Sequence, residues 1–352
     1  MIVVYRYRVK SSSGLLNKQA RACNLVWNYC NERQKDALRF GRRWHTGFDL
    51  NKLTAGSSKA LGLHAGTINA VCEQYAKSRS QKKRPHLRWR GRKSLGWVPL
   101  KGRDIKETPN GFHFHGREFR VFKSRDLPPG AKIKDGTCFA RNARGHWFLN
   151  VCIELAEATM RAPVQGVGID LGLKDFAVLS TGEKIDNPRH LRKLEAKLAV
   201  VQRARKKRQA VNIHARIANA RRDFQHKLSH RIVCEFDYIA VGNVSAAGLA
   251  KTNMAKSVLD AGWTAFRNML AYKALRHGAR YEEVSERFST QACSDCSLVG
   301  GPKGLEGLVV RAWTCMGCGG VHDRDCNAAK NILSRFSLGC GHAAPVQGIP
   351  VI

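Results

Sequence analysis

The sequence predicts a multidomain α/β protein: a small antiparallel β-barrel carrying a helical insertion, then a second α/β domain interrupted by a zinc ribbon. Three observations predict it. Apolar residues alternate with period two at the start of the chain and again from residue 97 to 155, with helical texture between. After Ala162-Pro163 the pattern changes to strands separated by longer helical stretches. Near the end stand two Cys-x2-Cys pairs separated by eighteen residues. At 352 residues the chain has room for two to three domains of about 100–200 residues each.

In order, residues 2–9 (IVVYRYRV) alternate apolar and basic and read as a strand. From about 16 to 76 apolar stripes recur at helical spacing, one through Leu25, Val26 and Tyr29 and another from Leu61 to Tyr75. Between Lys77 and Lys93 nine residues are basic and none acidic; Pro85 breaks any helix, and Trp89 and Trp97 flank the end of the run. Basic residues beside aromatics suit a groove that follows phosphates and stacks bases, although a solvated loop has the same composition. Strands then follow at 111–115, 119–122, 137–140 and 146–154, with turns at Pro128-Pro-Gly and Asn142-Ala-Arg-Gly. No helix separates them, so they pair with the first strand, and the helical segment is an insertion.

In the second half, 166–173 is a buried strand ending in a glycine turn, and 175–180 and 183–185 complete a meander. One long helix is expected over 191–234, where residues 191–231 hold thirteen Lys/Arg against Glu195 and Asp223. A strand at 238–241, an amphipathic helix at 258–275 and a strand at 280–285 follow. Three antiparallel strands, helix, strand, helix, strand is the order of an RNase H-like fold.

Lys and Arg number 61 against 27 Asp and Glu, a net charge of +34. Such an excess repels itself unless a polyanion offsets it, and a phosphate backbone does so with release of counterions. Charge alone does not separate an enzyme from a basic assembly protein. No run of eighteen uncharged apolar residues and no signal-like start are present, which argues against membrane insertion and secretion.

Of twelve cysteines, Cys23, Cys30, Cys72, Cys138, Cys152 and Cys234 are scattered at apolar positions and read as buried thiols of a reducing compartment. Cys293-Ser-Asp-Cys296 and Cys315-Met-Gly-Cys318 read instead as one structural four-thiolate Zn²⁺ site, about one zinc per chain, with redox use of a Cys-x-x-Cys pair as the competing reading. Asp170 sits inside an apolar strand, where a carboxylate costs several kcal/mol unless paired or metal-bound, and Gly168 and Gly172 leave the backbone beside it open. Asp325 opens a helix whose Ala328, Ala329 and Ile332 pack inward, which turns its carboxylate toward that strand's end. Each aspartate alone could be a helix-end or hydrogen-bonded turn residue.

Val26-Trp-Asn-Tyr-Cys-Asn-Glu32, Trp97-Val-Pro-Leu-Lys-Gly-Arg103, Gly168-Ile-Asp-Leu-Gly172, the cysteine pairs, Asp323-Arg-Asp-x-Asn-Ala-Ala329 and the closing Gly341-His…Gly348-Ile-Pro-Val-Ile352 together resemble TnpB. These are transposon-encoded, RNA-guided endonucleases regarded as ancestors of compact type V CRISPR effectors. The resemblance implies a wedge-type barrel (1–10 and 86–160), a helical recognition lobe (11–85), a RuvC-like domain (161–292 and 319–338), a zinc ribbon (293–318) and a tail (339–352). It further implies catalytic Mg²⁺, a guide RNA, target double-stranded DNA beside a short flanking motif, and a prokaryotic cytoplasm, at the nucleoid when on DNA. His322, Asp323 and Arg324 would stand behind the metal ligands, and the basic stretch 203–208 would lie along the guide or heteroduplex.

One departure bears on the chemistry. Where the family has a glutamate closing the fourth strand, this chain has Gly242. Glu286, just past the neighbouring strand, is the candidate replacement, as in relatives with a relocated glutamate, and Glu283 or Glu282 is the fallback. Its competing reading is a surface residue paired with Arg280 or Arg287. Asp170, Glu286 and Asp325 would then hold two Mg²⁺ ions for phosphodiester hydrolysis. If Glu286 does not complete the set, the expectation is a nuclease-inactive guided DNA-binding repressor. An unguided transposase would leave the amino-terminal half unexplained.

Overall fold

A computed structural model describes residues 1–336 apart from 92, 157 and 305; the closing motif after residue 340 and the 339–352 tail lie outside the described residues. The chain divides into two compact units, Met1–Ala156 and a second that begins at residue 157.

In the first unit, β1 (Ile2–Val9) is followed by α1 (Ser13–Arg39), α2 (Gly47–Leu53), α3 (Ser58–Leu61) and α4 (Ala65–Gln81). Then come β2 (Trp97–Pro99), β3 (Ile105–Thr108), β4 (Gly111–Phe114), β5 (Arg117–Phe122), β6 (Lys132–Ile133), β7 (Cys138–Arg141) and β8 (Trp147–Glu154). Strand β1 lies inside the sheet, antiparallel to β8 from Ile2↔Glu154 to Arg8↔Phe148 and to β5 on its other side. The helices are therefore an insertion, as the pattern implied. The pairing path β2-β7-β8-β1-β5-β4-β3 stays open, with β6 on β8. Among the described residues no ladder joins β2 to β3, so the expected barrel is not closed by hydrogen bonds.

Helix α1 buries Leu16, Ala20, Cys23, Trp27 and Cys30 at three- and four-residue spacing, and α4 answers with Ile68, Val71, Cys72 and Tyr75. The basic run after α4 is not a free loop. Asn31 accepts from Leu87 N (2.9 Å) and donates to Leu87 O (2.8 Å), and Asn28 does the same at Arg90 with both bonds at 2.8 Å. One side-chain amide thus satisfies a donor and an acceptor of an otherwise unpaired backbone. The Arg90 guanidinium lies 4.2 Å from the Trp27 ring and 4.7 Å from that of Trp97, while Lys82, Lys83, Arg84 and Arg88 remain exposed.

The second unit contains β9 (Gly166–Leu171), β10 (Asp175–Leu179), β11 (Lys184–Asp186), α5 (His190–Arg203), α6 (Lys207–Glu235), β12 (Tyr238–Gly242), α7 (Ala246–Leu249), α8 (Ala255–Ala261), α9 (Trp263–His277) and β13 (Arg280–Val284). A hairpin, β14 (Ala312–Thr314) and β15 (Val321–Asp323), precedes α10 (Arg324–Ser334). The five-stranded order is β11-β10-β9-β12-β13, with β9, β10 and β11 antiparallel and β9, β12 and β13 parallel. This mixed sheet is consistent with the RNase H-like order expected.

Two expected helices are each divided. The 191–234 stretch breaks at Arg205, which has a left-handed φ of 53°, and the second breaks at Gly262 (φ 67°). Helices α5 and α6 become a hairpin with its own small core of Leu198, Val201, Ile213 and Ile217. Residues 203–208 are the exposed hairpin turn and its flanks, not the face of one continuous helix.

Gly168 lets α10 pack on the central strand. A Cβ there would stand 2.0 Å from Ala329 O and 2.7 Å from Leu333 N, both backbone atoms of that helix. Gly168→Ala is expected to destabilise the second unit by about 3 kcal/mol through forced separation of β9 and α10. Chemical denaturation checks this; an unchanged midpoint would show that the helix gives way freely.

Candidate functional site

The pleat decides which side chains can meet. Gly168 faces α10, so Asp170, two residues on, points to the same face and lies one step beyond the strand's packed part. On β12 and β13 the core residues Ala240 and Val284 pack with Ile332 of α10. The same alternation turns Gly242 and Glu286 to that face. Val241 is paired with Ile169, and Gly242 with Val284, so Asp170, Gly242 and the exit of β13 form one row.

Glu286 bends back over that row. A Cβ built on Gly242 would meet Glu286 Oε2 at 3.1 Å and Ile332 Cδ1 at 3.2 Å. Asn243 helps set the bend: its N–H donates to Val284 O (2.9 Å), and its Oδ1 accepts from Glu286 N (3.4 Å). From the sequence Asn243 is set aside as a ligand because it carries no charge, and its hold on the β13 exit shows only in the structure. Glu283 lies on the opposite face, 3.2 Å from Arg267 and accepting from Tyr281 Oη at 3.0 Å. Glu282 shares the Glu286 face but is paired in register with Ala240, further back along the sheet.

Asp323 caps α10 by accepting from the N–H groups of Asp325 (3.1 Å) and Cys326 (2.9 Å), and receives Lys184 at 2.6 Å. Asp325 is therefore in the first turn and one turn ahead of Ala329, on the strand-facing side. Arg311 holds its carboxylate at 2.9 Å. Arg324 donates to Gly307 O at 3.0 Å.

Asp170 keeps a solvent-facing edge, yet burial among protein atoms, followed by repulsion from Asp325 and Glu286, pushes its pKa up to about 8, with Arg324 pulling the other way. Burial also raises Glu286. Oxygens of all three carboxylates do not fall within 4.8 Å of one another, so they are spread around a space rather than closed on one point. Asp170 and Glu286, both raised by burial, and Asp325, paired with Arg311, are oxygen donors of the kind that Mg²⁺ takes.

A folded-state pKa above the ordinary 3.8 favours the protonated form. The stability this gives is fully present below about pH 4 and is lost as pH rises through 8. In chelator, Asp170→Asn is therefore expected to be more stable than the parent at pH 9, on the order of 2 kcal/mol. That gap closes as pH falls toward 4. Melting curves across this range check the sign; a parent that gains stability with rising pH relative to the variant would reverse it.

The four paired cysteines come together. Sγ–Sγ separations are 3.7 Å for Cys293–Cys318 and 3.5 Å for Cys296–Cys315, and all four sulfurs lie within 4.8 Å of one another. A tetrahedron with Zn–S bonds of about 2.3 Å has edges of about 3.8 Å, whereas a disulfide is about 2.05 Å. The donor set fits zinc. Each knuckle ends in a left-handed residue, Ser297 (φ 66°) and Gly319 (φ 70°), whose N–H returns to the carbonyl of Cys293 or Cys315 at 2.9 Å. Backbone N–H groups of Cys318 and Gly317 draw the Cys315 thiol down to about 7. His322, expected beside the carboxylates, is instead buried with Nε2 3.0 Å from Cys293 Sγ. Asn327 and Asn331, one turn apart on α10, both donate to Ser289 O and Ala292 O and fix the entry to the knuckle.

Of the scattered cysteines, Cys23, Cys30, Cys72, Cys138 and Cys152 are buried, but Cys234 is exposed. It sits on the solvent side of α6, beyond the buried pair Ile232 and Val233.

Fold and sites thus define a multidomain mixed α/β protein with a carboxylate row at the strand ends and a four-cysteine cluster beside it. Residues 150–253 match the OrfB_IS605 family, described as "Probable transposase", and residues 263–332 match the Cas12f1-like TNB domain. In these two stretches the chain resembles the TnpB family. A Streptomyces pristinaespiralis protein named "Putative RNA-guided DNA endonuclease" is 40% identical over 225 residues, 60% of this chain and 55% of that protein. "Putative RNA-guided DNA endonuclease InsQ" of Escherichia coli (strain K12) is 30% identical over 233 residues, 58% of this chain and 56% of the other. "TnpB-like protein L79" of Acanthamoeba polyphaga mimivirus is 28% identical over 193 residues, 47% and 36% respectively. The chain thus spans just over half the length of the first two. Among the described residues, no helix is long and apolar enough to cross a membrane.

Proposed function

We propose that this protein is an RNA-guided DNA endonuclease whose RuvC-type site is Asp170, Glu286 and Asp325. The observation that carries the reading is the Glu286 carboxylate folded into the place a side chain at Gly242 would occupy, in one row with Asp170. Mg²⁺ bound by these groups would supply a polarised water and a counter-charge for the departing oxygen in phosphodiester hydrolysis. Asp170 and Asp325 present charge from β9 and α10, Glu286 closes the set from the β13 exit, and Asn243 holds that exit. Arg311, now on Asp325, would yield its partner when a metal arrives.

Zinc in the four-cysteine cluster is structural in this reading, since four thiolates leave no open position. The first unit acts as wedge (1–10 and 86–160) and recognition lobe (11–85), whose exposed Lys82–Arg84 and Arg88 offer contacts to phosphates. In the second unit the 203–208 turn offers its own basic surface to the guide or the heteroduplex. The nuclease domain comprises 161–292 and 319–338, and the ribbon 293–318. Target DNA is read by pairing with the guide, next to a short flanking motif. A nuclease-inactive guided repressor is the second reading, favoured by Gly242 alone.

The test is purification from cells at moderate salt, sequencing of the RNA retained, and a Mg²⁺ cleavage assay on DNA complementary to its guide segment. Retained structured RNA and guided cleavage are expected, with a net charge of +34 left uncompensated once RNA is stripped. An RNA-free, soluble monomer would overturn the guided reading, and guided binding without cleavage would select the repressor.

A further inference from the structure

Cys234 is not alone at the surface. His230 precedes it by one turn on α6, and His277 closes α9, whose C-cap Gly278 is left-handed at φ 70°. One ligand atom from each of the three lies within 4.8 Å of the others. We propose that His230, Cys234 and His277 form a second zinc site, separate from the four-cysteine cluster and from the carboxylate row.

Spacing is the first support. Residues four apart on a helix project side by side, so His230 and Cys234 present a nitrogen and a sulfur from one face. The Cys234 Sγ stands 3.7 Å from His230 Nδ1 and 3.8 Å from Nε2. A tetrahedral zinc with Zn–N of about 2.05 Å and Zn–S of about 2.3 Å requires an N···S edge of about 3.6 Å. That pair is already at bonding separation for a shared ion with either ring nitrogen. The His230 and His277 rings are 5.5 Å apart between centroids, with planes 58° from parallel, so they are not stacked face to face.

The scaffold holding the ligands is the second support. Helices α6 and α9 are tied by Lys273, one turn before His277, which donates to His226 O at 2.7 Å and Ser229 Oγ at 2.8 Å. Arg161 donates to Val233 O (2.6 Å) and Phe236 O (2.7 Å) and so fixes the end of α6 beside Cys234. Both helix ends are thus held before any ion binds, which limits the ordering cost of binding.

Chemistry selects the ion. One thiolate and two imidazoles suit zinc over magnesium or calcium, which take oxygen ligands. His230 and Cys234 are exposed and His277 half-buried, so a fourth position is open to water or to an external donor. Binding would release the thiol proton and join the ends of α6 and α9.

The test uses the full chain with its retained nucleic acid removed, equilibrated with Zn²⁺ and desalted. Metal analysis is expected to give two zinc ions per chain for the parent and one for Cys234→Ser and for His277→Gln. Cys315→Ser should also hold one, and Cys234→Ser combined with Cys315→Ser none. With Co²⁺ in place of zinc, the parent should show a thiolate charge-transfer band additional to that of the four-cysteine cluster, missing in Cys234→Ser. Cys234 is exposed and His277 half-buried, and circular dichroism checks that the Cys234→Ser and His277→Gln variants are folded; His277→Gln serves if Cys234→Ser is not. One zinc in the parent at saturating free Zn²⁺, or a Co²⁺ spectrum unchanged by Cys234→Ser, would reduce the trio to a hydrogen-bonded cluster and overturn the proposal. The outcome is independent of whether the carboxylate row cuts DNA.

Discussion

Glu286→Gln is expected to lower Mg²⁺-dependent cleavage by about 10³-fold, equivalent to about 4 kcal/mol of transition-state stabilisation, while guided DNA binding stays at the parent level. The substitution preserves size and removes charge at the one carboxylate folded into the row from β13. Asp170→Ala should be as severe. Glu283→Gln should be mild, because Glu283 is engaged with Arg267 on the other face of the sheet. Cleavage time courses on one matched target, with binding measured in chelator, separate the two effects. Full activity in Glu286→Gln would transfer the assignment to Glu282, the remaining acid on that face.

Cys315→Ser is expected to remove the tightly held zinc and unfold residues 293–323, seen as loss of one metal equivalent and as new protease cuts within that segment. Beyond the Cys293–His322 and Arg324–Gly307 contacts the finger has a small frame of its own: its hairpin has three residues per strand, and its buried cysteines would themselves be the ligands. Structural zinc in such small elements contributes about 10–16 kcal/mol of folding free energy. Retention of all zinc by the serine variant, or a Cys–Cys disulfide in the parent, would sink this expectation.

Much of the second unit was legible because its strands are short apolar runs set off by glycine turns and longer helical stretches, and its glycines mark close approach. Gly168 beside Asp170 already suggested a crowded strand end, and the Cβ clash with Ala329 gives that crowding its partner. Glu286 could be named because parallel neighbours bring their ends together. Its separation from Glu283 needed the register, since one residue's difference reverses the face. The break at Arg205 was not legible: no glycine or proline marks it, and a left-handed arginine is tolerated at a cost of about 1–2 kcal/mol where a hairpin must turn. Cys234 was misread for a related reason, because its buried neighbours Ile232 and Val233 lend it an apolar context that one further step around the helix removes. Asn28 and Asn31 stood inside a motif noticed only through family resemblance. Their pairing with Leu87 and Arg90 joins segments 56 and 62 residues apart, which no local pattern reports.

The crowding at Gly242 also constrains how such a protein can change over generations. A Cβ at that position would press on both the Glu286 carboxylate and the Ile332 methyl, and each would have to give by a few tenths of an ångström. A glutamate placed there would go further and set a second negative charge beside an acid already in its seat, which raises the cost of ionising either. Gaining an acid at 242 while keeping the one at 286 is therefore disfavoured, and an exchange of one for the other runs most easily when both positions change together.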